Sequence, residues 1–203
     1  MDALPPADNG WIDRAYGMGV DAVSYNLEIF DEERFDRICP GPARVIGRAR
    51  FLEALEYAAS IFPSGGTTCH LIVGLEPLEN THRGIDALTQ MGVLPVLPLY
   101  RPFKGRDMRR DEGVDHFAAS RDELVALHKH LYRSVRQAGI SLNMVRDIAI
   151  VTTPLEGRFL AEDDGFFKAL HHKMMGTRLG RRTSAHLSDI RRALRVRRIE
   201  EAG

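Results

Sequence analysis

The sequence predicts an α/β fold, a partial (β/α) barrel of TIM type with about four βα units and a C-terminal helical basic extension. Three observations carry this expectation. Short apolar, β-branched runs alternate with longer stretches of helical period, the pattern of parallel strands joined by crossover helices. Only four such units are readable, whereas a complete eight-stranded barrel takes at least about 200 residues and usually about 250. The charge is also unevenly placed. From Lys173 to Gly203 there are nine Lys/Arg against three Asp/Glu in a chain of zero net charge, so the remainder is net acidic by the same six. These observations divide the chain into a barrel-like part, residues 1–152, and a basic helical tail, residues 153–203.

Taken in order, a short amphipathic helix with Trp11, Ile12, Ala15 and Tyr16 ends near Gly17 and Gly19, and Asp21 to Leu27 reads as the first strand. Asp31 is placed to cap a short helix through Phe35 and Ile38, with Glu32 and Glu33 in the first turn where the helix dipole favours them. Pro40-Gly41-Pro42 is expected to break that helix, and a longer one follows from about Ala43 to Ile61, stopped by Pro63-Ser64-Gly65-Gly66. The second strand is Thr68 to Val73. Asn80 and Thr81 are candidate caps for a helix bearing Ile85, Leu88 and Met91 and closed by Gly92. The third strand, Val93 to Leu99, contains two prolines, each of which removes a ladder donor. After a charged loop, Ser120 and Glu123 have the spacing of a capping box for a helix through Leu124, Leu127, Leu131 and Val135 that Gly139 ends. Arg146 to Val151 reads as a fourth strand, and the segment from Thr183 as a basic amphipathic helix.

With 44% hydrophobic and 28% charged residues in 203, the chain has the composition of one ordinary folded domain. No apolar run is long enough to span a bilayer and the start lacks a leader pattern, so the expected location is the cytoplasm, with no membrane association. Two cysteines, Cys39 and Cys69, make no disulfide framework and suit a reducing compartment. Cys69, alternating within a strand, reads as a buried inert thiol. His128 and His130 are two apart on a helix, and His171 and His172 are adjacent, so neither pair has the spacing that places two metal ligands on one helix face. No metal site is expected from them. No phosphate-binding loop, dinucleotide fingerprint or Ser-His-Asp pattern is present.

Three segments, in order, carry a resemblance. They are Val20-Asp-Ala-Val-Ser-Tyr-Asn-Leu-Glu-Ile29 followed by Arg37-Ile-Cys-Pro-Gly41, then His70-Leu-Ile-Val-Gly-Leu-Glu76, then Gly92 through Lys104-Gly105. Together they resemble the fourth, fifth and sixth strands of radical S-adenosylmethionine (SAM) barrels of the biotin synthase and lipoyl synthase kind, over roughly residues 10 to 110. The resemblance implies that Asn26 and Glu28 hold the SAM ribose and that Ile72, Val73 and Gly74 lie along the adenine. It further implies that Arg50, or Arg48, meets the methionine carboxylate and that Arg101 faces the substrate or that carboxylate. Glu76 stands one residue earlier than the family's usual acidic position. Such enzymes hold a [4Fe-4S] cluster with three thiolates, usually Cys-x-x-x-Cys-x-x-Cys. Two cysteines thirty positions apart do not make that loop, and the resemblance places the chain's start near the end of the family's third strand.

The expectation is therefore the SAM-binding, substrate-facing half of a radical SAM enzyme, with S-adenosylmethionine as cofactor and the [4Fe-4S] cluster supplied by a protein partner. The alternative is a non-catalytic binding or assembly subunit, and a third reading is a small open α/β sheet of another family. An uncovered half-barrel edge also points to a partner chain or a homo-oligomer. Apart from the resemblance, Asn26 and Glu28 read as caps of the turn after their strand. The basic tail reads as a solvated helix face or a docking arm for an acidic partner. Its amphipathic helix from Thr183 has no aromatic residues to stack on bases, which ranks nucleic acid last.

Overall fold

The computed structural model describes residues 1–101 and 117–142. The fourth strand, the charged loop beyond Arg101 and the basic tail lie outside the described residues, as does the boundary at residue 152. Within them the chain runs α1 (Gly10–Gly17), β1 (Val23–Ser24), α2 (Glu32–Ile38), α3 (Pro40–Val45), α4 (Arg48–Ile61), β2 (Thr67–His70), α5 (Leu78–Gln90), β3 (Leu94–Val96) and α6 (Arg121–Gln137). The three strands form a parallel sheet in the order β1-β2-β3, with Ser24 opposite Thr68 and His70 opposite Val96. The fold is thus mixed α/β with a small parallel sheet, and helices connect each strand to the next, as the alternating pattern required. No described helix is long and apolar enough to cross a membrane.

One face of the sheet is apolar. Val23, Tyr25, Leu27, Cys69, Leu71 and Val73 alternate along β1 and β2 and are at most 3% exposed, packed with Phe51, Leu55, Ile85, Leu88, Leu127 and Leu131 from the helices. The intervening positions Ser24, Asn26, His70 and Ile72 are only partly buried. Because side chains alternate along a strand, these belong to the opposite face.

Several boundaries differ from expectation for identifiable reasons. Pro40-Gly41-Pro42 does end α2, but Pro40 then opens α3, since the first helical position needs no amide donor. The helix expected from Ala43 is split, because Gly47 takes φ +81 and α4 starts only at Arg48. Asn80 and Thr81 do not cap α5. The helix already starts at Leu78 behind Pro77, and both side chains turn to other partners described below. Asp31 does cap α2, accepting from the Arg34 amide at 3.0 Å, and Ser120 with Glu123 forms the capping box of α6. Pro95 is accommodated because β3 is an edge strand among the described residues, where a missing donor costs least.

On the outside of the sheet α5 and α6 are clipped together. Asp86 accepts from Ser134 Oγ at 3.1 Å and lies 2.8 Å from His130 Nε2, whose ring stands edge-on to His82. A cleft of about 330 Å³ beside this clip is lined by Asp86, Thr89, Gln90, Gly92, Ser134, Gln137 and Ala138. It opens at the C-terminal end of α5, which feeds the start of β3, and so lies away from the strand ends considered next.

Candidate functional site

In folds of parallel strands joined by helices, binding sites form at the C-terminal ends of the strands. Here those ends hold a local irregularity. Tyr25 still donates to Thr68 O, but the Leu27 amide is diverted to the Cys69 thiol at 3.4 Å, and it is Glu28 that donates to His70 O at 2.9 Å. Glu28 O then accepts from Ile72 N at 2.7 Å. One residue more is consumed on β1 than on β2, a bulge that ends the regular ladder after Ser24 although the first strand reads as Asp21 to Leu27. Glu28 absorbs it with φ +68, the single non-glycine residue at positive φ among the described residues. Such a conformation costs a carboxylate side chain on the order of 1–3 kcal/mol and persists only where the surroundings impose it.

The Glu28 carboxyl is half-buried, and no hydrogen bond reaches it among the described residues. Burial, followed by the neighbouring Asp2, pushes its pKa up to about 7. Asn26, one pleat earlier, accepts from Ser24 Oγ at 2.6 Å and from His70 N at 3.2 Å, and donates to Asp2 Oδ1 at 3.0 Å. One of its amide protons is left over. Residues 1–3 lie alongside β1 as its second neighbour, on the side away from β2, with Asp2 pairing with Ser24.

The loop after Glu28 is pinned from three sides. Glu76, fully buried, accepts from Phe30 N at 3.1 Å, Asp31 N at 2.9 Å and Thr81 Oγ1 at 3.2 Å. The Arg48 guanidinium donates to Phe30 O and stacks over the Phe30 ring. Gly84 of α5 lets Phe30 and Leu71 approach so closely that a Cβ there would lie 2.7–2.9 Å from both. Asn80 adds a bond to Asp31 Oδ2.

The structure brings Asn26, Glu28, Ile72, Val73 and Gly74 onto neighbouring strand ends. Gly74 takes φ +107 where β2 leaves the sheet, and its carbonyl accepts from Phe117 N. Arg101 lies just past the pairing of Val73 with Leu99 and is exposed. Arg50 stands apart, donating to Pro6 O and Asn9 Oδ1 and pairing with Glu53, so it ties α4 to the segment before α1. Sequence reasoning missed Glu76 as the organiser of the loop, together with Asp2 and His70. No local signal marked Glu76, because its amide partners, Phe30 and Asp31, lie 46 and 45 positions away.

A four-iron cluster does not fit this chain. It needs three thiolates, and the chain has two cysteines. The Cys69 thiol is wholly buried and pushed up to about 12, chiefly by burial, while burial and then Glu28 raise that of Cys39. Both are free. Among the described residues, no group of three or more His, Cys, Asp or Glu side chains is arranged to hold a metal ion. The ribose of S-adenosylmethionine fits better, because the Glu28 carboxyl has no hydrogen-bond partner among the described residues and Asn26 keeps an amide proton, whereas the backbone of Ile72 to Gly74 is already paired, with Glu28, Pro98, Tyr100 and Phe117.

Over 107 residues the chain is 33% identical to bacteriochlorophyllide c C-7(1)-hydroxylase of Chlorobaculum limnaeum, a match covering 52% of this chain and 27% of that protein. The chain thus spans about a quarter of that relative's length. No family model matches, and no solved structure does.

Proposed function

We propose that this chain supplies the SAM-binding and substrate-facing part of a radical SAM enzyme, working with a segment or partner chain that brings the three thiolates of a [4Fe-4S] cluster. The observation that carries the reading is Glu28, a carboxyl held in left-handed backbone at a strand end, without a hydrogen-bond partner among the described residues, and bonded through its own carbonyl to Ile72 N. Strain kept at a solvent-reachable polar group points to a ligand.

In this reading Glu28 accepts from the two ribose hydroxyls, and the spare Asn26 proton fixes their orientation. The backbone of Ile72, Val73 and Gly74 lies along the adenine. Arg101, exposed beyond the third strand end, faces the substrate or the methionine carboxylate. Arg48 and Arg50 instead hold the loop after Glu28 and the segment before α1. A cluster brought by the partner would, together with SAM held here, supply hydrogen abstraction from unactivated carbon. The likeness to a carbon hydroxylase supports that chemistry, and with it a chelated tetrapyrrole as substrate class. The two unsuitable cysteines favour, as the second reading, a non-catalytic binding or assembly subunit on the same fold.

The test is anaerobic iron-sulfide reconstitution followed by assay of SAM cleavage to 5′-deoxyadenosine, with the chain alone and with a Cys-x-x-x-Cys-x-x-Cys protein. Cleavage only in the mixture supports the proposal. Cleavage in neither, with S-adenosylhomocysteine still bound, moves the assignment to the binding subunit.

A further inference from the structure

We propose that the cleft between the C-terminal ends of α5 and α6 is a binding site for a small aliphatic diamine. The site lies away from the strand ends and stands independently of the SAM reading. Its walls carry one formal charge, the Asp86 carboxylate, and no Lys or Arg lines it among the described residues. Asp86 is fixed from one side. His130 Nε2 lies 2.8 Å and Ser134 Oγ 3.1 Å from its Oδ1, and the His130 ring is backed edge-on by His82. This is not a proton relay, because Asp86 and Ser134 meet the same ring nitrogen, whereas a relay uses both. Both partners also use the same carboxylate oxygen, so Oδ2 meets no described donor. The Asp86 side chain is 48% exposed, which leaves that oxygen open to a ligand.

The hydroxyls of the cleft are acceptors as well. A hydroxyl has one proton to give, and both here have given it. Thr89 Oγ1 donates to Ile85 O at 2.8 Å and Ser134 Oγ to Asp86 Oδ1, so each presents lone pairs. The helix ends add more. In α5 the carbonyls of Ala87, Leu88 and Thr89 accept from Met91, Val93 and Gly92, and in α6 those of Ser134, Val135 and Arg136 accept from Ala138, Ile140 and Gly139. The last carbonyl of each helix, at Gln90 and at Gln137, accepts from no described residue, and both residues line the cleft. Arg136, in the last turn of α6, is exposed and outside the lining. Each helix C-terminus brings about half a negative charge, and with Asp86 the total is about two. A space of about 330 Å³ with that charge and a wall of acceptors suits two ammonium groups on a short carbon chain.

The experiment titrates the full chain, at pH 8 and low salt, with putrescine and with the diol of the same carbon chain, followed by calorimetry. The wild type is expected to bind the diamine at least about tenfold more tightly than the diol. Asp86→Asn, whose amide oxygen still accepts from Ser134, should weaken the diamine by about tenfold or more. Gln137→Lys, at an exposed position, places an ammonium of the chain's own in the cleft and should abolish diamine binding with the fold intact. Glu33→Gln removes an exposed carboxylate on α2 instead and should leave binding unchanged. Thermal melts establish that each variant is folded, and Gln137→Lys carries the test if Asp86→Asn is not. No diamine binding by the wild type, equal affinity for diamine and diol, or binding kept in Asp86→Asn or Gln137→Lys overturns the proposal. An equal loss in Glu33→Gln also overturns it, since the effect is then general charge attraction and not this cleft.

Discussion

Glu28 and Glu76 are two carboxyls at the ends of adjacent strands, and they are treated in opposite ways. Glu76 is sealed from solvent and meets two backbone amides and a hydroxyl. Burial raises its pKa, and those three bonds pull it back down. Glu28 remains within reach of solvent, meets no described donor, sits beside Asp2 and is held at φ +68. One carboxyl builds the loop and the other is presented by it. The difference teaches that burial and a raised pKa do not by themselves mark a site. An absence of partners at a strained position does so better.

The comparison breaks most visibly at Glu76. Replacing it with alanine strands the amides of Phe30 and Asp31 and the Thr81 hydroxyl in the interior, which should cost about 3 kcal/mol in urea unfolding. A loss under about 1 kcal/mol would mean that water replaces the carboxylate and that the loop is not built on it. Gly84→Ala tests the other side of the same clamp. The new methyl meets Leu71 Cδ1 and the Phe30 side chain at 2.7–2.9 Å. Overpacking there, partly offset by better helix propensity, should destabilise by about 1–2 kcal/mol. Equal or higher stability would show that Phe30 moves freely.

The pH dependence sharpens the contrast. A Glu28 pKa raised from 4.5 to about 7 means that the folded chain holds the proton more tightly than the unfolded one. Its contribution is fully present below about pH 4.5 and is lost as pH rises through 7. Solvent screening of this half-buried group leaves on the order of 1 kcal/mol. The wild type should therefore lose stability relative to Glu28→Gln between pH 5 and 8, as read from denaturant midpoints. A constant difference between the two proteins would remove the elevated pKa.

The sequence made the alternation of strands and helices legible, because the apolar runs at Val23 to Leu27, Cys69 to Val73 and Val93 to Leu97 are local signals. The caps at Asp31 and Ser120 were equally local. What it concealed depends on pairing across long separations. The bulge arises because the thiol of Cys69, 42 positions away, takes the Leu27 amide. Asn80 and Thr81 look like caps until Pro77 starts the helix earlier and Asp31 and Glu76 claim their side chains. For the candidate site, the resemblance named Asn26, Glu28 and Ile72 to Gly74, and the structure adds that they share neighbouring strand ends. The partners of Arg50, Pro6 and Asn9, lie on a segment outside the matching motifs.

The smallest expected effect runs opposite to the usual direction. Glycine adopts positive φ without a side-chain penalty, so Glu28→Gly relieves the strain in the folded state while giving the unfolded chain more freedom to lose. These two terms nearly offset, and removing an unpaired, half-buried carboxyl adds a little in favour of the variant. Glu28→Gly should therefore be as stable as the wild type or more so, by up to about 1 kcal/mol, in urea unfolding at pH 8. Its affinity for S-adenosylhomocysteine should nevertheless fall by about tenfold or more. A protein that becomes more stable as it loses its ligand is one that kept a strained residue for binding. If the variant is instead less stable by as much as Glu76→Ala, Glu28 is a second structural carboxyl and the contrast between the two strand ends disappears.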